Sequence, residues 1–169
     1  MDFFEPAYLV FFSRWLHVLS GIMWIGLLWY FNFVQIPSMP NIPDNQKPAI
    51  SKVIAPKALF WFRWAALATI ITGLSTAHLN GYLVNALTLG IIDGSQKDTA
   101  IGIGMWLGII MAYNVWMIIW PNQKIALGIV SANVDEKPLA ARKAMLFSRT
   151  NTALSIPMLY AMVSAQNLY

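Results

Sequence analysis

One long apolar stretch near the N-terminus sets the class of this protein. Residues 14–26 have the sequence RWLHVLSGIMWIG, and apolar residues continue from there to Pro37. About 20 apolar residues are enough to cross the hydrocarbon core of a bilayer, so this stretch predicts a membrane-spanning helix. It carries a cation, Arg14, and an imidazole, His17. Because ionisable groups inside a membrane are costly, these two residues are candidates for function.

The composition of the whole chain also indicates an integral membrane protein. Of its 169 residues, 58% are hydrophobic and only 11% are charged, which is far from the balance of a soluble domain. The first apolar segment is too long for a signal peptide and follows acidic residues, so we expect it to remain in the mature chain. The sequence predicts an all-α fold with one domain over residues 1–169, an antiparallel up-down bundle of four transmembrane helices near 9–36, 59–84, 100–120 and 148–168.

The basic residues lie mainly on one side of the predicted membrane. The segment 37–57 holds five prolines, which predict an ordered, extended loop, and it also holds three lysines. The loop 121–147 carries four further basic residues, whereas the loop 85–99 has Lys97 between two aspartates. By the positive-inside rule the two basic loops are cytoplasmic, which places both termini and the 85–99 loop on the opposite side.

A stripe of residues runs along one face of the first predicted helix. Its members are spaced by three and four residues: Arg14, His17, Gly21 and Trp24. His78 lies near the outer end of the second span, and because the spans run in opposite directions we expect it at the same depth as His17. Two level imidazoles with space between them suit axial ligation of a b-type haem iron, with Arg14 pairing a haem propionate. The alternatives are histidines that hydrogen-bond carbonyls or headgroups, and an Arg14 that only anchors the helix at the membrane surface.

A second polar set lies toward the other end of the predicted spans, and every span contributes to it: Asn32, Gln35, Arg63, Asn114, Asn122, Arg149 and Asn151. Such groups commonly hydrogen-bond across a helix bundle. The alternative is a pocket for a quinone or another substrate. Small residues at spacings of four also predict close helix contacts, either within the bundle or between copies of it: Gly104 with Gly108, and Gly73 with Ala77 and Gly81.

Several residue types that are missing exclude other functions. The chain has no cysteine, which rules out disulfides, iron–sulfur clusters, thiolate zinc sites and covalently attached haem. All seven acidic residues fall outside the predicted spans, whereas ion-coupled transporters usually need carboxylates within the membrane. The basic residues lie mainly in the predicted loops, where membrane topology accounts for them, so nucleic-acid binding is not indicated.

Five runs of the sequence resemble one family of membrane proteins. They are WLHVLSGIMWIG at 15–26, YFNFVQIP at 30–37, FWFRW at 60–64, NVWMIIWPNQ at 114–123 and SIPML at 155–159. Together they are similar to the membrane domain of bacterial membrane-bound urate hydroxylases, the urate oxidase N-terminal family. The resemblance implies a redox protein of the bacterial inner membrane; in that family a cytochrome c domain follows a larger membrane domain. We expect this chain to be a short, four-span form without that domain, since it has no CxxCH sequence.

The run at 15–26 is also similar, more distantly, to haem-b-dependent protoporphyrinogen oxidases, whose first-helix histidine ligates haem; His17 is the matching position. We therefore predict a protein that binds haem b through His17 and His78. A bis-histidine iron favours electron transfer, here to or from a quinone or cytochrome partner. We expect a homodimer or a larger membrane complex, because four spans alone would leave a haem edge uncovered. Whether the chain is itself an oxidoreductase stays open, and the absence of CxxCH argues against urate oxidation by this chain alone. The alternatives are a non-catalytic accessory subunit of a larger membrane complex and a small-molecule carrier or channel that uses the second polar set.

Overall fold

The computed structural model describes residues 5–92 and 94–169. Asp2 and Asp93, which entered the charge arguments, lie outside these ranges. Every regular element of the described residues is helical, which confirms the prediction of an all-α fold. The α-helices are α1 (Pro6–Trp29), α2 (Ile36–Ser38), α3 (Ala55–Leu79), α4 (Leu83–Leu87), α5 (Gln96–Tyr113), α6 (Trp120–Ala126) and α7 (Glu136–Asn167).

Short segments of π-helix join several of these α-helices into longer rods. The π segments are Tyr30–Gln35, Ala49–Ile54 and Asn114–Ile119. A 3₁₀ turn after α2 extends the first rod further. Three rods are long and apolar enough to span a membrane: Pro6–Asn41, Ala49–Leu79 and Gln96–Ala126. The prediction of membrane-length helices is therefore confirmed for these three.

Each π segment ends two residues before a proline, namely Pro37, Pro56 or Pro121. A proline inside an α-helix donates no hydrogen bond, and its ring collides with the carbonyl group four residues earlier. A π turn holds one extra residue, which moves that carbonyl group away from the ring. The helices therefore continue through these three prolines.

The two basic loops are shorter than predicted, in part because helices continue through these prolines. The extended loop expected at 37–57 is not found, and within it only residues 42–46 are non-helical. Pro37 and Pro56 follow π segments and Pro40 stands at the start of the 3₁₀ helix, whereas Pro43 lies in the non-helical stretch. In the loop expected at 121–147, the non-helical connection is 127–135. The second rod ends at Leu79, short of the limit of 84 predicted for the second span.

The helices pack most extensively as two pairs, α1 with α3 and α5 with α7. A shared core joins the pairs, and its largest side chains are almost fully buried: Trp24, Leu28, Phe62, Met111 and Ile119. At one end of the first pair, Phe31 meets Phe62 edge to face with 5.8 Å between ring centroids. This packing holds α1 and α3 in a fixed register, which positions the site described below.

Helix α7 packs through small and polar residues. Its buried face includes Ala140, Ala144, Ser148, Asn151, Thr152, Ser155, Ala161 and Ser164. Basic residues also occupy its first half: Lys137, Arg142, Lys143 and Arg149. Although α7 has 32 residues, it is therefore not one of the three helices whose length and composition fit a membrane span.

Candidate functional site

A cavity of about 690 Å³ lies between α1, α3, α5 and α7. Ligand and cofactor pockets commonly measure roughly 300–1,000 Å³. The walls are mainly apolar and include Ile70, Leu74, Ile101, Met105, Ile109, Met158 and Met162. Four residues predicted to bind a cofactor also line the cavity: Arg14, His17, Gly21 and Trp24. The stripe predicted on the first helix thus forms one wall of a single cavity.

The backbone of α3 holds the imidazole of His17. Its Nδ1 atom lies 2.9 Å from the carbonyl oxygen of Thr69. A carbonyl oxygen only accepts hydrogen bonds, so Nδ1 carries the proton and the neutral ring keeps its lone pair on Nε2. Nε2 has no hydrogen-bond partner among the described residues. His17 therefore has a free metal-ligating nitrogen in a ring that is oriented through its other nitrogen.

Gly73 of α3 leaves the space that the His17 ring occupies. A Cβ atom at position 73 would lie 2.8 Å from Cε1 of His17, closer than real Cβ atoms approach, and 3.0 Å from Nδ1, a tight contact. From the same point Nε2 is 3.6 Å away, so the ring packs on α3 through its Nδ1 edge. Sequence reasoning missed Gly73 as a site residue. The small-residue spacing of Gly73, Ala77 and Gly81 placed it on a helix contact but did not show which side chain it receives.

The other predicted residues of this wall contribute in different ways. A Cβ atom at Gly21 would meet only the Thr69 methyl group, at 3.9 Å, an ordinary contact. Trp24 is 1% exposed, and its Nε1 has no hydrogen-bond partner. Gly21 is therefore not required by packing, and Trp24 contributes an apolar surface.

One end of the cavity is polar. Arg14 is exposed there and acts electrostatically on Tyr82, which also lines the cavity. Burial raises the pKa of the Tyr82 phenol, and the nearby Arg14 charge opposes this rise. The hydroxyl therefore stays protonated at neutral pH and can donate a hydrogen bond. Gln166 and Asn167 near the end of α7 line the same cavity. A guanidinium beside a phenol suits an anionic group.

His78 does not lie in this cavity. It is exposed and is not one of the lining residues. The register between α1 and α3 explains its position, because Thr76 donates a 3.1 Å hydrogen bond to Ser13 while His17 packs on Gly73. His78 is five residues beyond Gly73, about 7 Å farther along the helix and more than a third of a turn around it. The structure thus does not bring the two predicted haem ligands together at one depth.

The cavity offers one histidine, His17, as the residue that could hold a b-type haem. Within 5–92 and 94–169, no cluster of three or more His, Cys, Asp or Glu side chains could hold a metal ion. His17 is the residue whose nitrogen would hold the iron of such a haem group. The apolar walls suit the macrocycle, and the polar end suits its propionates. The other soft donors in the lining are the thioethers of Met105, Met158 and Met162.

The second polar set is divided among separate contacts. Asn114 donates a 2.8 Å hydrogen bond to Asn151, whose own amide nitrogen donates to the Met111 carbonyl oxygen at 2.9 Å. Asn32 donates to the Ser148 hydroxyl at 2.8 Å. These bonds join neighbouring helices, as polar side chains do in membrane bundles.

The remaining residues of the set, two arginines and two amides, have different surroundings. The Arg63 guanidinium lies 3.6 Å over the ring of Trp120, whereas Arg149 is exposed. Asn122 bonds the carbonyl oxygen of Ile118 on its own helix, and Gln35 keeps a buried side-chain oxygen without a partner. The residues proposed as a second site therefore belong to several different contacts.

A comparison with protein families gives one match. The family model described as urate oxidase N-terminal matches residues 94–168. This confirms the resemblance over α5, α6 and α7, including the runs at 114–123 and 155–159. The stretch with His17 lies outside the matched residues. No curated protein and no solved structure matches the chain.

Proposed function

We propose that this protein is an integral membrane redox protein that binds haem b in the cavity and passes electrons to or from a quinone or a cytochrome partner. The observation that carries the proposal is the hydrogen bonding of His17. Its Nδ1 is held by the Thr69 carbonyl group, while its Nε2 has no hydrogen-bond partner within residues 5–92 and 94–169, and the ring lines an apolar cavity of about 690 Å³. This combination is typical of a histidine that ligates a metal.

Bound haem b would supply a one-electron carrier. The chain's own residues would set its surroundings. The Thr69 carbonyl oxygen would keep the His17 ring in one orientation and make Nε2 a stronger donor. Arg14 and Tyr82 would bind and partly neutralise the propionates. The apolar walls would limit access of water, which is one of the factors that set a reduction potential.

The proposed membrane arrangement has four antiparallel spans in a bacterial inner membrane, with both termini periplasmic. Contacts between α1 and α3 support opposite directions, since Ser13 meets Thr76 whereas Phe31 meets Phe62. For α7 as the fourth span, the support is that its outward face is apolar where its buried face is polar. Exposed side chains there include Ile156, Tyr160 and Val163. Lipid favours this inverted distribution, because it cannot solvate polar side chains.

An absorption spectrum of the purified full chain, expressed with ample haem, tests the proposed function. We expect a Soret band and a reducible α-band in the wild type and in His78→Ala, and neither band in His17→Ala. Far-UV circular dichroism and gel filtration establish that each variant is folded. Haem in His17→Ala at the wild-type ratio would overturn the assignment. A folded wild-type protein that has no chromophore and co-purifies with a larger complex would favour an accessory subunit instead.

A further inference from the structure

Arg63 on α3 has a planar cation with most of its donors unused. Its guanidinium carbon lies 3.6 Å from the ring centroid of Trp120 and 5.5 Å from that of Phe60. Among the residues that the structure describes, the guanidinium makes one hydrogen bond, a 3.5 Å contact to the carbonyl oxygen of Leu59. A guanidinium carries five N–H donors. Stacking therefore fixes the plane of the Arg63 side chain and leaves its edge available to an acceptor.

Lys124 places a second positive charge at the same aromatic ring. Its ammonium nitrogen lies 5.7 Å from the centroid of Trp120. The ion pair found among the described residues joins Lys47 to Asp44, so neither Arg63 nor Lys124 has a carboxylate partner there. Two cations that share one ring without a counter-charge suit a phosphate group.

An apolar groove of about 400 Å³ adjoins this pair of cations. Trp116 lines the groove and donates a 3.2 Å hydrogen bond from Nε1 to the carbonyl oxygen of Arg63. The other lining residues come from α3 and from α5 with the π segment after it: Leu67, Ile70, Ile109, Ala112, Tyr113 and Met117. On α3 the lining begins at Leu67, one turn beyond Arg63, and includes Ile70, while the opposite wall extends from Ile109 to Met117.

We propose that this region is a binding site for an anionic phospholipid. The headgroup phosphate binds Arg63 and Lys124, and one acyl chain lies in the groove below Trp116. Trp64 packs on Trp116 with 5.4 Å between ring centroids and is 45% exposed, as expected of tryptophans at the level of lipid headgroups. A soluble phosphate would leave the groove empty. A zwitterionic lipid would bring its own cation toward the two basic side chains, so the charges favour an anionic lipid.

Native mass spectrometry of the full chain in detergent, with added phosphatidylglycerol or phosphatidylcholine, tests this site. We expect the wild type to retain phosphatidylglycerol preferentially. Arg63→Gln and Lys124→Gln should each weaken this preference about fivefold, the effect of one basic residue at an anionic membrane surface. Arg149→Gln is the matched control, because it removes an exposed arginine elsewhere. Equal loss in Arg149→Gln, or equal retention of both lipids by the wild type, would overturn the site.

A second pair of variants tests the groove. Ala112→Phe should fill it and lower retention of phosphatidylglycerol, while binding of soluble glycerol phosphate should stay as in the wild type. Leu67→Trp is an independent blocking variant if Ala112→Phe does not fold, as judged by circular dichroism. Wild-type lipid retention in a folded blocking variant would show that no acyl chain lies there. Glycerol phosphate binding as tight as phosphatidylglycerol binding would indicate a free phosphate site and overturn the lipid assignment.

Discussion

Two helix contacts in this protein place polar side chains between apolar helices, and they differ in how completely those side chains are hydrogen-bonded. In the amide contact, Asn114 and Asn151 satisfy each other and the Met111 carbonyl group. In the imidazole contact, His17 bonds the Thr69 carbonyl group and keeps a second nitrogen without a partner. A polar residue in an apolar helix is therefore a candidate for ligand binding when one of its hydrogen-bonding atoms lacks a partner in the protein.

Glycines of the two helix pairs, α5 with α7 and α1 with α3, differ in a similar way. A Cβ atom at Gly104 of α5 would lie 3.0–3.2 Å from the Met162 side chain of α7, so an apolar neighbour fills that space. At Gly73 the space is filled by the His17 ring. The small residues thus allow close packing at one contact and position a chemically active group at the other.

The largest expected effect comes from removing the His17 imidazole and then supplying free imidazole in its place. We expect His17→Gly to lose bound haem, because the described residues that line the cavity include no second histidine. Added imidazole should restore the absorption bands by entering the vacated space. His78→Gly, treated identically, is the control and should keep its haem throughout. Failure of imidazole to restore any absorption in a folded His17→Gly would count against ligation at this position.

Two glycine variants on the cavity wall should differ clearly. Gly73→Ala would push a methyl group into the His17 ring, so we expect haem affinity to fall about tenfold, as for loss of a residue that orients a metal ligand. Gly21→Ala makes only an ordinary contact with Thr69 and should change affinity little. Haem titration of the two variants measures the difference. Equal affinities would mean that Gly73 does not position the ring.

The amide contact should affect stability and not cofactor binding. Asn151→Ala leaves the Asn114 amide and the Met111 carbonyl group without their partner, and we expect a loss of about 1–2 kcal/mol in the free energy of unfolding. Unfolding in sodium dodecyl sulfate measures this loss. Thr150→Ala, which removes an exposed hydroxyl on the same helix, is the control. A fall in haem content per folded Asn151→Ala chain would contradict a purely structural role for the amide contact.

The smallest expected effect concerns pH at the polar end of the cavity. The pKa of Tyr82 is raised above the reference value of 10.0, chiefly by burial. The Tyr82 phenol therefore loses its proton at a lower pH in the unfolded chain than in the folded chain. The free energy of unfolding keeps its full value below about pH 10 and declines as the pH rises toward the pKa of the folded state. We expect the melting temperature to fall less between pH 9 and about 11 in Tyr82→Phe than in the wild type. Parallel curves for the two proteins would exclude a contribution from Tyr82.

Spacing along one helix indicated which residues share a face. Arg14, His17, Gly21 and Trp24 share a face because helical periodicity depends only on their separation, and all four line the cavity. The position of His78 could not be predicted in this way. It depends on where α3 ends and on the register set by contacts such as Ser13 with Thr76, which arise only when the helices pack.

The prolines show a second limit of local reasoning. A proline and the residue before it both disfavour α-helix, so the segment 37–57 predicted a loop. Pro37 and Pro56 instead each follow a π segment, and helix continues through both. Propensities describe the ordinary α-helix and do not include this wider turn. Gly73 was missed for a related reason, because a glycine in an apolar helix does not show which neighbour it admits.

The π segment at Tyr30–Gln35 also changes the phase of the first rod. One extra residue in a helical turn rotates all that follows by about 100° relative to an uninterrupted α-helix. His17 faces α3 and bonds Thr69, whereas Trp29, just before the π segment, and Asn32, within it, donate hydrogen bonds to Ser155 and Ser148 of α7. One continuous rod thus carries both a wall of the cavity and a structural contact with α7.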